Sequence, residues 1–483
     1  MFLRCHARKK NGKLHRYWSV VESRRLAGGQ SAQRQLLYLG EINDSQETAW
    51  RRNIEVFDQD KEQSRQACLF PDDRPIPADE VNALSLRMSQ MCLLRPRNFG
   101  DCWLGCLLWR ELGLDRFWQE QLGDERGGVP WEKVLQLLAI NRLCQPGSEF
   151  ALHRHWFVNS AMDELLESDF AVAEKDRLYR CLDRVLIHKD ALCRHLVERW
   201  KTLFDARFDI LLYDLTSTYF EGSGEQIPKA RHGHSRDGRP DCRQVVIALV
   251  VTTDGLPLAY EVLAGNTSDK TTLTLFLEKI QSMYGKARRV WVMDRGIPTE
   301  ATLAKMREDE VAYLVGTPRS SLDKLEKSLL DKPWEPWPAG MEKQASVLWQ
   351  WYMQLVRVEE SFKTLKGDLS LRPIHHQIEK RVEAHILVAF LGYCLATTLR
   401  LKLSVAAPGL TPRAALQSLS KIQMLEVHVP TSDGRVLVMP RHTEPEAQQQ
   451  MILARLGLSL PPQPPPRIRE GKLELAATSR EIL

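Results

Sequence analysis

No two of the ten cysteines in this chain are spaced C-x-x-C. That lack argues against a zinc finger and against a disulfide-stapled secreted fold, and the scatter of the thiols fits a reducing compartment. The N-terminal residues, Met1 to Lys10, lack the apolar core of a secretion signal. The longest apolar run, Ala384 to Leu399, contains His385 and is short for a bilayer span. No internal repeat is present. Charge of one sign is also scarce: a net +5 over 483 residues is no polycation. What remains is an ordinary soluble composition, 43% hydrophobic, long enough for several domains. The expected location is cytoplasmic, with no membrane partner.

The basic charge is unevenly placed. Residues 1–40 hold nine Lys/Arg against the single acid Glu22, a balance suited to phosphate contact. Residues 1–56 form the first expected unit, small and β-rich. Phe2–Arg8 and Arg16–Glu22 flank an Asn11-Gly12 turn, and Gln35–Leu39 could add a strand. Residues 57–85, polar and Pro/Asp-rich, are expected to be a linker. Residues 86–206 have apolar residues recurring at three and four, as in Leu104, Leu107, Leu108 and Leu112, and are expected to be a helical, DNA-binding region. Residues 207–405 change period and are expected to be the catalytic core. Residues 406–483 should hold a hairpin, a helix near 445–457 and a Pro-rich tail.

Within the core, three carboxylates are conspicuous. Asp214 lies inside the apolar run Ile210–Thr218, and Asp294 ends the run Arg289–Asp294. Glu359 lies on a helix-like stretch expected over 349–369. Burying a carboxylate in an apolar strand is costly unless something compensates it. Between these residues the pattern reads β-β-β-α-β-α-β. Asp254-Gly255 turns a hairpin, and Asn266 and Asp269 are placed as helix caps. That order matches an α/β, ribonuclease H-like mixed sheet with flanking helices, in which the first and fourth strands are neighbours. Asp214 and Asp294 would then face each other with Glu359 reaching in, a set suited to hard divalent cations. Two such ions about 4 Å apart can hold the attacking and leaving oxygens of a phosphoryl displacement. Lys366 and Tyr352 are expected on the Glu359 face, with Lys366 meeting a phosphate. Arg243 belongs to a loop, 229–243, with five Lys/Arg against two Asp, which could touch DNA. His232-Gly-His234 in that loop is read as exposed chain and not as a metal site.

Tyr213–Phe220, Val292–Gly296 and Val358–Lys366, with Leu371–His376 and Glu383-Ala384-His385, resemble the DDE transposases of bacterial insertion sequences. The likeness is to the superfamily named after insertion sequence number four, and runs over roughly residues 1–465. It implies Asp214, Asp294 and Glu359 as the catalytic, metal-binding triad, with Mg²⁺ as cofactor and Mn²⁺ able to substitute. It implies double-stranded DNA as partner, both terminal inverted repeats and target, with cleavage, strand transfer and a homodimer on DNA. The family's helix motif, Y-x-x-R-x-x-x-E-x-x-x-x-x-x-K, is met at Tyr352, Glu359 and Lys366, but Leu355 occupies its arginine position. Relatives also carry a β-rich insertion before the catalytic helix, where this chain has only the 32 residues 319–350. Two alternatives therefore remain: a decayed or repurposed DNA-binding copy, and a ribonuclease H-like nuclease that joins nothing.

Overall fold

The computed structural model describes residues 2–10, 13–25, 31–41, 54–58, 63–67, 86–123, 128–285, 288–316, 341–431 and 434–469. Strands β1 (Phe2–Lys10), β2 (Lys13–Arg25) and β3 (Ser31–Glu41) form an antiparallel meander, as the alternating N-terminal runs suggest. The Asn11-Gly12 turn lies outside the described residues. β4 (Ile54–Asp58) pairs antiparallel with β5 (Gln63–Ala67), so part of the expected linker is a hairpin.

The expected helical region differs at its start. β6 (Cys92–Asn98) is a strand, and helices begin only with α1 (Gly100–Glu111). α2 (Leu114–Leu122), α3 (Trp131–Cys144), α4 (Lys175–Val185) and α5 (Lys189–Phe204) follow. Pro96 does not break β6, because a proline is tolerated where its missing N–H serves no ladder bond.

Next come β7 (Ile210–Tyr219), β8 (Gln244–Thr252), β9 (Pro257–Ala264), α6 (Leu273–Tyr284), β10 (Val290–Met293), α7 (Glu300–Glu308) and β11 (Ala312–Val315). The sheet order is β11-β10-β7-β8-β9. β7, β8 and β9 are antiparallel, and β10 and β11 add in parallel, which is the ribonuclease H-like arrangement. The physical reason is connection length. β8 and β9 are joined by a tight turn at Gly255, where φ is +75°, whereas each parallel addition needs a crossover helix.

The segment 317–340, most of the shortened insertion, lies outside the described residues. The chain then enters α8 (Met341–Met353) and α9 (Leu355–Lys363), in place of one continuous helix over 349–369. A turn at Gln354 separates the two, and a π-helical turn, Thr364–Asp368, ends the second. α10 (Glu379–Ala406) is long and apolar enough to cross a membrane by composition, but it is buried inside the protein. α11 (Pro412–Leu419), β12 (Gln423–Pro430), β13 (Val436–His442), α12 (Ala447–Arg455) and β14 (Arg467–Arg469) complete the chain.

Two compact units result. One comprises residues 1–100 with 418–483, the other residues 101–417. In the first, β6 pairs with β12 in the four-stranded sheet β14-β13-β12-β6. In the second, every residue of β8 is buried, because helices cover both faces of the sheet. One face carries Leu211, Tyr213, Leu215, Trp291 and Met293 against Phe276 of α6 and Met306 of α7. The other receives α10, whose Phe390 ring lies 4.6 Å from that of Tyr260.

Candidate DDE centre

Register determines where the first carboxylate points. Asp214 is opposite Leu249, which is opposite Tyr260. Residues directly opposite one another share a face, so Asp214 lies on the face covered by α10. β10 runs parallel beside β7 with Met293 opposite Tyr213, and Asp294 follows Met293 as Asp214 follows Tyr213. Asp294 therefore ends β10 beside Asp214, which lies midway along β7, and neighbouring strands are about 4.8 Å apart in a sheet. Glu359 sits exposed on α9, which packs against β7 and β8. Its helix is anchored two residues later. The Tyr393 hydroxyl of α10 lies 2.6 Å from Ser361 Oγ and donates to the Gly255 carbonyl at 2.6 Å. One buried phenol thus ties α9 and α10 to the β8–β9 turn. The structure brings Asp214 and Asp294 side by side on one sheet face, and packs the helix that carries Glu359 against β7 and β8.

Asp214 bears the strain of the site. Burial pushes its carboxyl up to about 6, the negative charges of Asp294 and Asp269 push the same way, and the Leu215 N–H and Arg236 oppose them. The Leu215 N–H donates to Oδ1 at 2.7 Å and is a weak substitute for a counter-cation. Asp294, exposed at the strand end, accepts from the Arg295 N–H at 2.8 Å.

The expected accessory residues fare differently. Tyr352, at the end of α8, is beside the site: burial raises its phenol, and the charge of Asp294 adds to the effect. A Cβ placed on Gly316, just past β11, would be 2.5 Å from the Tyr352 hydroxyl, so the glycine makes room for the ring. The turn at Gln354 means that Tyr352 and Glu359 do not share one helix face. Lys366 belongs to the π-helical turn, whose wider winding shifts it from the two-turn spacing expected of an α-helix. Its ammonium pairs at 2.8 Å with Asp237, whose side chain is only 2% exposed, and Arg372 pairs with the same oxygen. Burial lowers the pKa of Lys366 while Asp237 supports it. Arg243 donates through Nη1 to the Ala230 carbonyl at 3.1 Å. Arg357 is exposed and pairs with Glu360 at 3.0 Å.

The 229–243 loop is pinned to the protein. Lys229 pairs with Glu383, Arg236 with Asp269 at 2.6 Å, and Arg239 with Asp241 at 2.9 Å. His232 and His234 are exposed. Asp269 is not a side-chain cap: neither short helix after Asn266 has a side-chain cap bond, and its carboxylate is taken by Arg236. Arg236 and Asp237 were not picked out by spacing, and Asp269 was read only as a cap, because their partners are 33 to 135 positions away.

Away from this centre, two groups of ligand-type side chains occur among the described residues. In each, the donor atoms lie within 4.8 Å of one another. Asp101, Cys102 and Cys144 form one; there Asp101 accepts from the Cys102 N–H at 2.8 Å. Glu149, His376 and His385 form the other, but it already holds a cation. Arg142 Nη2 lies 3.9 Å from Glu149 Oε1 and 3.1 Å from His385 Nδ1.

Residues 206–395 match the family model described as a transposase DDE domain. Comparison with curated proteins gives no match. Among solved structures, the piggyBac transposase synaptic complex with hairpin DNA is similar at 11% identity and a TM-score of 0.37, over 68% of this chain and 82% of that one. The catalytic domain of Mos1 mariner transposase is similar at 14% identity and a TM-score of 0.17, over 44% of this chain and 93% of that one.

Proposed function

We propose that this chain, which carries a transposase DDE domain over residues 206–395, cleaves DNA at element ends and transfers the cut strands to a target. The observation that carries the reading is the placement of Asp214 on β7 beside Asp294 at the end of the parallel strand β10, with the helix that bears Glu359 packed on β7. The context is that of a bacterial insertion sequence, working in the cytoplasm as a homodimer that brings two ends together.

The residues fit a divalent cation. All three candidate ligands are hard carboxylates, and burial and neighbouring acids leave Asp214 short of positive charge. Asp214, Asp294 and Glu359 would hold Mg²⁺, with Mn²⁺ as substitute. When bound, the metal supplies Lewis-acid stabilisation of the charge that develops on the phosphate. The protein's own part is to orient. The Leu215 N–H fixes one Asp214 oxygen, and Tyr393 ties the helix of Glu359 to the β8–β9 turn. Tyr352 borders Asp294 where a DNA strand would enter. Lys366 is proposed to meet a phosphate of that strand with Asp237 setting its position, and the nitrogens of Arg243 other than Nη1 remain for the DNA backbone.

The test is incubation of the purified protein with a duplex carrying the sequence that flanks its gene, in Mg²⁺, Mn²⁺ or EDTA, beside Asp214→Asn and Asp294→Asn. The expected result is metal-dependent nicking at a repeat boundary, lost by at least about 100-fold in either variant. Nicking without joined products would identify a nuclease, and specific binding without any cut would identify a DNA-binding relic. Cleavage that survives Asp214→Asn would remove the assigned centre.

A further inference from the structure

β10 ends opposite Tyr213, whereas β7 runs on to Tyr219. Beside that overhang is a cavity of about 260 Å³ lined by Thr216, Ser217, His234, Arg236, Asp269 and Gly296, among others. It reaches from the strand of Asp214 to the residue two beyond Asp294. Arg236 enters it held at two points. Its backbone N–H donates to Ser217 Oγ at 3.0 Å, and its Nη2 donates to Asp269 Oδ2 at 2.6 Å. That leaves Nε and Nη1 without a protein acceptor among the described residues, on a side chain 29% exposed. The next residue, Asp237, is clamped by Lys366 and Arg372, so the backbone that carries Arg236 is fixed on both sides.

The charge of the site calls for such a group. Asp214, Asp294, Glu359 and Asp269 are all acids, and an incoming phosphodiester is itself an anion. The family motif would bring an arginine on the catalytic helix, but Leu355 is there instead. A guanidinium presents a planar fork of donors matched to phosphate oxygens, and a carboxylate behind it sets its plane.

We infer that Arg236, delivered by the β7–β8 loop and oriented by Asp269, is a phosphate-binding residue of the DDE centre that contacts a non-bridging oxygen of the DNA strand being cut. The inference rests on the proposed reading of the centre as one that cleaves phosphodiesters. Arg236 is thus a DNA contact supplied by the β7–β8 loop.

Two readouts test it. Single-turnover cleavage of the flanking-sequence duplex in Mg²⁺ is compared for wild type, R236Q and R236K. Binding of the same duplex is measured across KCl concentrations in the cleavage-deficient Asp214→Asn background, with and without each substitution. R236Q should cut on the order of 100-fold more slowly. It should also reduce the slope of log K against log salt by about 0.9, the loss of one phosphate contact. R236K should keep the slope and recover only part of the cleavage, because the charge remains and the fork does not. Wild-type cleavage by R236Q, or lost cleavage with an unchanged slope, would overturn the inference and leave Arg236 as a structural partner of Asp269. If R236Q does not fold, R236K decides: its ion pair with Asp269 survives, so cleavage at the wild-type rate overturns the phosphate role. If the wild type cuts nothing, the reading of the centre fails, while the salt slope still decides the contact.

Discussion

The ionised carboxylate of Asp214 is held in the fold at a cost. An aspartate normally titrates near 3.8, and this one is pushed up to about 6. The folded protein therefore holds this proton more tightly than the unfolded chain does. Stability contributed by the group falls as pH rises from about 4 through 6, and above that the charged form costs about 3 kcal/mol. Asp214→Asn should accordingly raise the denaturation midpoint of metal-free protein at pH 8, with the gain shrinking as pH falls towards 4. Added Mg²⁺ should stabilise the wild type and not the variant. Equal midpoints at pH 8 would show that the carboxylate is not strained. The buried Arg142–Glu149–His385 group behaves in the opposite sense. Arg142 can only donate to His385 Nδ1, so the imidazole proton is on Nε2, which has no partner among the described residues. Burial, with Arg142 adding to it, lowers His385 to about 4, below its ordinary 6.5. That stability is present above pH 6.5 and is lost as pH falls towards 4. Glu149→Ala would leave Arg142 buried without its carboxylate and should cost 3–5 kcal/mol or so in urea denaturation. A cost under about 1 kcal/mol would mean that water compensates the arginine.

At the scale of elements, α9 matters through what holds it. It is nine residues long, too short to be stable alone, and its position comes from packing on β7 and from the Tyr393 hydroxyl of α10. Tyr393→Phe keeps the ring and removes that hydroxyl, leaving the Gly255 carbonyl without its donor. The expected loss is about 1–3 kcal/mol. Cleavage should fall more than DNA binding does, because Glu359 rides on the helix that is loosened. Equal loss of both, followed by gel shift and single-turnover nicking, would count against a positioning role. α10 itself explains a feature that hydropathy alone leaves ambiguous. It is apolar around its whole circumference because α3, α4, α5 and the sheet surround it.

At the scale of the molecule, chain order and unit order part company. β6 lies ahead of the helical region, yet its sheet partners are β12 to β14 more than 320 residues later. A chain ending at Gln417 removes every partner of β6 in that sheet. The β6 amides that bond to β12 should then lose their hydrogen-exchange protection, while those of β8 in the other unit keep theirs. Retained protection in β6 would mean that the strand is held by something other than the β12 ladder.

The two strand aspartates, the hairpin at Asp254-Gly255, the crossover helices and the long apolar helix were legible because each depends on local signals: a turn residue, a period of two or 3.6, a charge in an apolar run. The ribonuclease H-like order follows from those elements and the short connections between them. The sequence by itself thus determined the elements of the core and which strands and helix carry Asp214, Asp294 and Glu359. Only the tertiary structure decided what surrounds them. The Asp237 clamp on Lys366, the Arg236–Asp269 pair, the Arg142–Glu149–His385 group and the β6–β12 ladder each join residues distant along the chain. Periodicity carries no information about such contacts, since they are selected by burial and charge compensation after the elements have packed.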